Sequence, residues 1–135
     1  PRMIGQIWEG SDIVIASRYR EGSRIYGLDK LRKFLSYGAG LMFRLYFGLE
    51  GVRDYTCGFR AYKIGFLRKG SGHYGDKFIE QVGFACMAEI LIKLGKLKPI
   101  IHEVPFILRY DQKQGESKMN LGKTIKQTLT LLSIK

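Results

Sequence analysis

The sequence predicts an α/β fold, a mixed sheet with flanking helices, and three observations carry that expectation. Asp12-Ile13-Val14-Ile15-Ala16 is a short, nearly continuous β-branched apolar run, the pattern of a strand buried on both faces. Helical periodicity alternates with strand-like runs along the rest of the chain, as in α/β proteins. A late strand-like stretch, Ile100 to Leu108, contains Pro105, which fits a sheet edge or a bulge.

Residues 2–9 read as the end of a helix, with Met3, Ile4 and Ile7 on one side. The buried strand follows, and after it comes a polar loop from Ser17 to Arg24, at the strand end where open α/β sheets place ligands. From Leu28 to Phe47 the period turns helical. Leu28, Leu31, Leu35 and Met42 fall near one face, and Arg32, Ser36 and Gly40 on another at i, i+4 spacing. Gly48 and Gly51 stop this helix. Asp54 to Lys63 mixes turn residues with a strand-like end. Gly70, Gly72 and Gly75 mark a glycine-rich connection to a helix over Gly83–Leu94, ended by Gly95 and Pro99. Arg109 to Met119 reads as a long polar loop, and Leu121 to Ile134 as a last helix with Leu121, Ile125, Leu129 and Leu132 on its apolar side. Repeats and low-complexity segments are absent.

The 135 residues amount to a single domain. The chain opens on Pro1 and closes on Lys135 after an apolar-periodic stretch, and both ends read as cuts from something larger. A formal charge of +11, from 23 Lys and Arg against 12 Asp and Glu, favours an anionic partner: nucleic acid, anionic headgroups or a phosphorylated small molecule. Cys57 and Cys86 lack CxxC spacing, and with only His73 and His102 beside them zinc is disfavoured and a reduced setting is the simplest reading. No apolar run approaches the roughly 20 residues of a membrane span, so membrane contact is expected to be peripheral.

Three constellations carry chemistry. Arg18, in the strand-end loop, and Arg32 with Ser36, one turn apart near a helix start, form a set able to converge on one tetrahedral anion. The loop Arg109 to Lys118, cationic at both ends and hinged at Gly115, has the character of a binding loop or lid. Asp54, Thr56, Gly58 and Arg60 place a glycine between polar side chains, which admits a ligand close to the backbone and equally fits a tight turn. Glu89 lies in an apolar helix and needs a cationic partner or a catalytic use.

Read in order, Ser17-Arg18-Tyr19, Arg32-x-x-x-Ser36, Asp54-x-Thr56-x-Gly58-Phe59-Arg60, Gly83-Phe84 with Glu89, Glu103-Val104-Pro105, and Arg109 with Gly115-Glu116-Ser117-Lys118 resemble family 2 glycosyltransferases. The resemblance is closest to dolichyl- and polyprenyl-phosphate mannose (hexose) synthases and covers residues 11–121. It implies a GT-A-type nucleotide-sugar transferase fold, of which residues 1–135 form the acceptor-side, C-terminal half without the nucleotide-binding part. It implies that Arg18, Arg32 and Ser36 hold the lipid phosphate. Arg109, Ser117 and Lys118 would close over donor and acceptor phosphates, and Thr56, Gly58 and Arg60 would belong to the sugar site. Asp54 and Glu89 match motif positions of that site and are the candidate catalytic carboxylates.

The implied partners are a nucleotide sugar (GDP-mannose or UDP-glucose), a polyprenyl or dolichyl phosphate, and the cytoplasmic face of a membrane. The final helix and the cationic loops are expected against its headgroups. The implied cofactor is Mg2+ or Mn2+, with ligands expected upstream of Pro1, so the chain alone is expected to be inactive. A family 2 transferase with a sugar hydroxyl as acceptor is the alternative and would require a carboxylate base. A nucleic-acid module is the other, but no helix-turn-helix, RNP-like or zinc signature accompanies the charge, and no nucleic-acid partner is expected.

Overall fold

A computed structural model describes residues 2–112 and 121–134, without the side chains at 84, 121, 123, 124 and 128. It is a mixed α/β fold. The elements are α1 (Arg2–Trp8), β1 (Ile13–Ser17), β2 (Arg24–Tyr26), α2 (Lys30–Phe47), β3 (Arg60–Tyr62), α3 (Ile64–Tyr74), α4 (Phe84–Gly95), β4 (Ile101–Pro105), β5 (Ile107–Arg109) and α5 (Leu121–Leu131).

β1 is buried at every position, as its β-branched run predicts. It is the middle strand of the order β3-β1-β4, antiparallel to β3 and parallel to β4. Helix α1 lies against this sheet. Ile13 and Ile15 enter the main core with Leu91, Ile92 and Leu94 of α4, Phe43 of α2, Val52, Tyr55 and Leu131 of α5. A separate parallel ribbon joins β2 to β5.

The expected strand over Ile100–Leu108 is two strands in two sheets. Pro105 supplies no N–H and closes β4, which is an edge strand. The Phe106 N–H then turns to the Ser23 hydroxyl at 3.2 Å, and its carbonyl accepts from Arg24 N–H at 3.2 Å. That exchange carries the chain onto the β2 ribbon, so part of the loop expected after β1 is itself strand.

The expected glycine-rich connection is the helix α3. Its Gly70 is buried, and a Cβ there would stand 2.3 Å from a Leu94 methyl and 3.2 Å from the Phe78 ring. Close helix approach, rather than chain flexibility, accounts for this glycine. Tyr74 at the end of α3 donates its hydroxyl to the Lys93 carbonyl at 2.9 Å, which fixes α3 on α4.

Helix α2 keeps its expected extent but not its expected face. Of its eighteen residues only Gly40 and Phe43 are buried; Leu35 and Met42 are half-buried, and Leu31 is exposed. Gly48 ends it in the left-handed region (φ 55°), its N–H on the Arg44 carbonyl at 3.0 Å. The Tyr55 hydroxyl accepts from Leu49 N–H at 2.9 Å and ties that end to the core.

Gly51, between α2 and the loop leading to Asp54, has φ 79°, and a Cβ there would lie 2.7 Å from the Ile101 carbonyl oxygen. Gly51→Ala is therefore expected to destabilise the fold by about 1–3 kcal/mol, read as a lower urea midpoint at unchanged slope.

Candidate functional site: an arginine-lined apolar cavity

Arg18 is the first residue past β1, and the loop that carries it is pinned on both sides. The Ser23 hydroxyl donates to the Ser17 carbonyl at 2.7 Å, and the Tyr19 N–H donates to Ser17 Oγ at 3.2 Å. The Arg18 side chain meets Asp54, which is fully buried. Asp54 Oδ2 accepts from Arg18 Nε at 2.8 Å and from its backbone N–H at 3.0 Å. Oδ1 accepts from Nη2 at 2.7 Å, from Cys57 N–H at 3.0 Å and from Thr56 N–H at 3.3 Å.

Burial by itself would lower the Arg18 pKa, but the hydrogen bonds and charge of Asp54 outweigh it and raise it above its ordinary value. Burial likewise pushes the Asp54 carboxyl up, and the bonds and charge of Arg18, with backbone N–H groups, bring the net shift below the ordinary value.

The rest of the guanidinium reaches α2 and Thr56. Nη1 donates to Ser36 Oγ at 2.9 Å, and Nη2 also bonds Thr56 Oγ1. Of the five N–H groups of an arginine, one on Nη1 remains uncommitted among the described residues. Arg32, one turn before Ser36, has no hydrogen-bond or ion-pair partner among the described residues.

All three of these side chains line one cavity of about 470 Å³. Thr56 and Gly58 line it too; its other walls are largely apolar, formed by Leu28, Leu35 and Met42 beside α4 and α5 residues. Among the described residues no carboxylate lines it. A Cβ on Gly58 would meet nothing nearer than Met87 Cγ at 3.5 Å, so packing within the protein does not require glycine there.

The structure does not bring the remaining candidates to this cavity. Glu89, expected as a catalytic carboxylate, is buried on another side of α4. Its Oε1 accepts from Lys93 at 2.7 Å, and its Oε2 takes the N–H groups of Glu80 and Gln81 at 3.0 and 2.8 Å. Lys93 also pairs with Glu80 at 2.8 Å and donates to the Lys77 carbonyl. Glu89 is thus occupied in holding the segment before α4.

Asp54, the other expected catalytic group, is saturated by donors and occupied in orienting Arg18. Arg60 donates to the carbonyls of Tyr55, at 2.7 Å, and Met87; it staples the loop to α4. Arg109 is exposed, pairs with Asp111 at 2.7 Å and lies over the Tyr26 ring at 5.2 Å. Ser117 and Lys118 lie outside the described residues.

Two contributors were given no role by sequence reasoning. Glu103 of β4 is buried, and its Oε1 accepts from the backbone N–H groups of Arg53 at 2.7 Å and Asp54 at 2.8 Å. It therefore positions the loop that positions Arg18. The available signal was a carboxylate inside a strand, Ile101 to Pro105. Tyr19 is the other: its ring lies 5.5 Å from the Arg18 guanidinium carbon.

No family model matches the chain. It is 36% identical over 126 residues to a dolichol-phosphate mannosyltransferase of Pyrococcus furiosus, covering 93% of this chain and 33% of that one. It is 31% identical over 122 residues to an undecaprenyl-phosphate mannosyltransferase of Micrococcus luteus, covering 90% of this chain and 47% of that one. The chain thus spans between a third and a half of the length of these curated relatives. The class these matches define is the glycosyltransferases. Within it, the chain belongs with the polyprenyl-phosphate mannose synthase-like members of family 2.

The buried pair makes stability depend on pH. Asp54, held below its ordinary value of 3.8 in the fold, contributes fully above the unfolded pKa and loses that contribution as pH falls toward the folded one. Asp54→Asn is expected to cost about 3–5 kcal/mol at neutral pH, as removal of one partner of a buried pair does. Urea denaturation across pH should show the gap between the two proteins narrowing below about pH 4.

Proposed function

We propose that the chain is the acceptor-side part of a GT-A-type glycosyltransferase domain. The reaction we assign to that enzyme moves a hexose, mannose or glucose, from a nucleotide sugar to a polyprenyl phosphate at a membrane surface. The observation that carries this reading is the cavity itself: Arg18, Arg32 and Ser36 on walls that are otherwise largely apolar, with no carboxylate among the described lining residues. A phosphate at the end of a hydrocarbon chain has the matching chemistry. The names of both relatives, each a mannosyltransferase of a polyprenyl phosphate, support the acceptor class.

The absence of a lining carboxylate separates this reading from transfer to a sugar hydroxyl. A hydroxyl acceptor needs a base to take its proton, and Asp54 and Glu89 are both committed to cations. A phosphate monoester has a second pKa of about 6 and is already anionic. One of its oxygens attacks the anomeric carbon as the bond to the nucleoside diphosphate breaks, with inversion. The protein's part is then to bring two repelling anions together and hold the acceptor in line. Arg32 supplies the free bidentate charge, Arg18 its remaining N–H, and Ser36 a hydroxyl already oriented by Arg18.

The departing diphosphate is assigned a divalent cation, Mg2+ or Mn2+, which would neutralise its charge. Among the described residues no cluster of His, Cys, Asp or Glu fits such an ion. The nucleotide-sugar donor, GDP-mannose or UDP-glucose, is likewise assigned to the larger enzyme. By itself the chain is proposed to bind acceptor without transferring sugar. No described helix is long and apolar enough to cross a membrane.

Titration of the chain with geranyl phosphate tests this. Arg32→Ala is expected to weaken binding about ten- to a hundredfold, the range for losing charged hydrogen bonds, while leaving the urea midpoint near wild type. In the enzyme that carries the chain, the same variant should raise KM for the lipid phosphate more than it lowers kcat. Unchanged acceptor affinity would overturn the assignment.

A further inference from the structure

Helix α2 separates two cavities. Its Arg32–Ser36 side faces the one described above; the other side borders a cleft of about 310 Å³ formed by Tyr19, Tyr37, Gly40, Leu41, Arg44 and Arg53. The guanidiniums of Arg44 and Arg53 have no hydrogen-bond or ion-pair partner among the described residues. The two tyrosines meet edge to face, with centroids 5.9 Å apart. A Cβ at position 40 would stand 3.7 Å from the Tyr19 ring, an ordinary contact distance, so Tyr19 packs beside the helix at this position without requiring glycine there.

Beside this cleft runs an apolar face that is exposed among the described residues. At about 100° per residue, Leu31, Tyr37, Leu41 and Leu45 share an arc of roughly 120° with Lys30 at its N-terminal end; Phe34 belongs to the first cavity. All four apolar residues of the arc are exposed, Leu45 by 79%. Lys33 and Arg44 border the Tyr37 edge of the arc. The helix as a whole, KLRKFLSYGAGLMFRLYF, carries four cations and no carboxylate. A protein partner leaves such a helix free to mix charge signs across its rim. An anionic lipid surface favours an apolar face flanked by cations alone, with tyrosines at headgroup depth.

We propose that this face of α2 docks on a phospholipid bilayer and that the cleft between Arg44 and Arg53 holds the phosphate of an anionic phospholipid headgroup. Leu41 and Leu45 enter the acyl boundary. Tyr37 lies at the interface, and the two guanidiniums close on the phosphate as bidentate donors. The inference rests on the membrane-surface reading above for its choice of a lipid occupant, but the two cavities share no arginine. Tyr19 lies between them, with the Arg18 guanidinium over its ring and Tyr37 against its edge.

The test is co-sedimentation of the whole chain with vesicles of phosphatidylcholine, with and without phosphatidylglycerol. The chain is expected to prefer the anionic vesicles. Arg44→Gln with Arg53→Gln should cut that binding about fivefold per residue and about 30-fold together at low salt, with geranyl phosphate affinity unchanged. Leu45→Ser should weaken binding to both vesicle types.

Wild-type binding of the double variant to anionic vesicles would overturn the proposal. So would full competition by soluble glycerol phosphate, which would mark a free-phosphate site, or self-association through α2 that Leu45→Ser abolishes while vesicle binding persists. Failure of the acceptor reading shows instead in Arg32→Ala and leaves these measurements as they are.

Discussion

The bond between Arg18 and Asp54 organises everything near the cavity. A carboxylate with no exposure is tolerable only if its lone pairs are filled and its charge is met, and Asp54 satisfies both conditions with groups from one arginine and the loop it belongs to. The consequence is geometric. Arg18 leaves β1 with its backbone and side chain fastened to the same carboxylate, so the guanidinium plane is fixed before any ligand arrives. Glu103 extends the arrangement by one layer, since its buried oxygen holds the N–H groups of Arg53 and Asp54 from the adjacent strand. The sheet thus sets Glu103, Glu103 sets the 53–54 turn, and that turn sets Arg18.

The same pair determines how charge is distributed at the site. Asp54 neutralises Arg18 locally, so the net positive charge presented to the cavity falls mainly to Arg32. Arg18 contributes direction and Arg32 contributes charge. Two unneutralised arginines side by side would repel each other in a largely apolar cavity; one paired and one free avoids that cost and still presents two guanidiniums to a single anion. Asp54 is therefore a positioning residue. Its oxygens are saturated by Arg18 and backbone N–H groups.

How far the sequence displayed all this depended on the kind of signal. β1 was legible as a continuous β-branched apolar run, and α2 and α4 because apolar residues recur with a helical period. α3 was not, because the feature that lets it pack on Leu94, the bare Cα of Gly70, reads in sequence as a breaker. β2 escaped because a three-residue ribbon strand has no buried face to leave a pattern. The convergence of Arg18, Arg32 and Ser36 was expected from the strand-end loop and the i, i+4 spacing; that Thr56, expected in a separate motif, meets the same guanidinium was not. The partners that decide what each carboxylate does were not readable from that order. Asp54 and Arg18 are 36 residues apart and meet through the fold, whereas Glu89 and Lys93 are one helical turn apart and were in reach of an i, i+4 reading.

Helix α2 shows why its expected core face and observed core face differ. The leucine spacing of Leu28, Leu31 and Leu35 looks like an interior stripe, but interior position depends on what stands opposite. What stands opposite Gly40 and Phe43 is Tyr19, Tyr55 and the Asp54 turn, so the side with the smallest residue and the cavity-lining pair Arg32 and Ser36 is the one turned inward. Of the expected stripe, Leu28 and Leu35 line the cavity, while Leu31 is left on the outer arc with Leu41 and Leu45. One constraint, the need to bring Ser36 against Arg18, thus fixes the helix's rotation and exposes its apolar arc. The acceptor cavity and the outer face of α2 are two consequences of that single rotation.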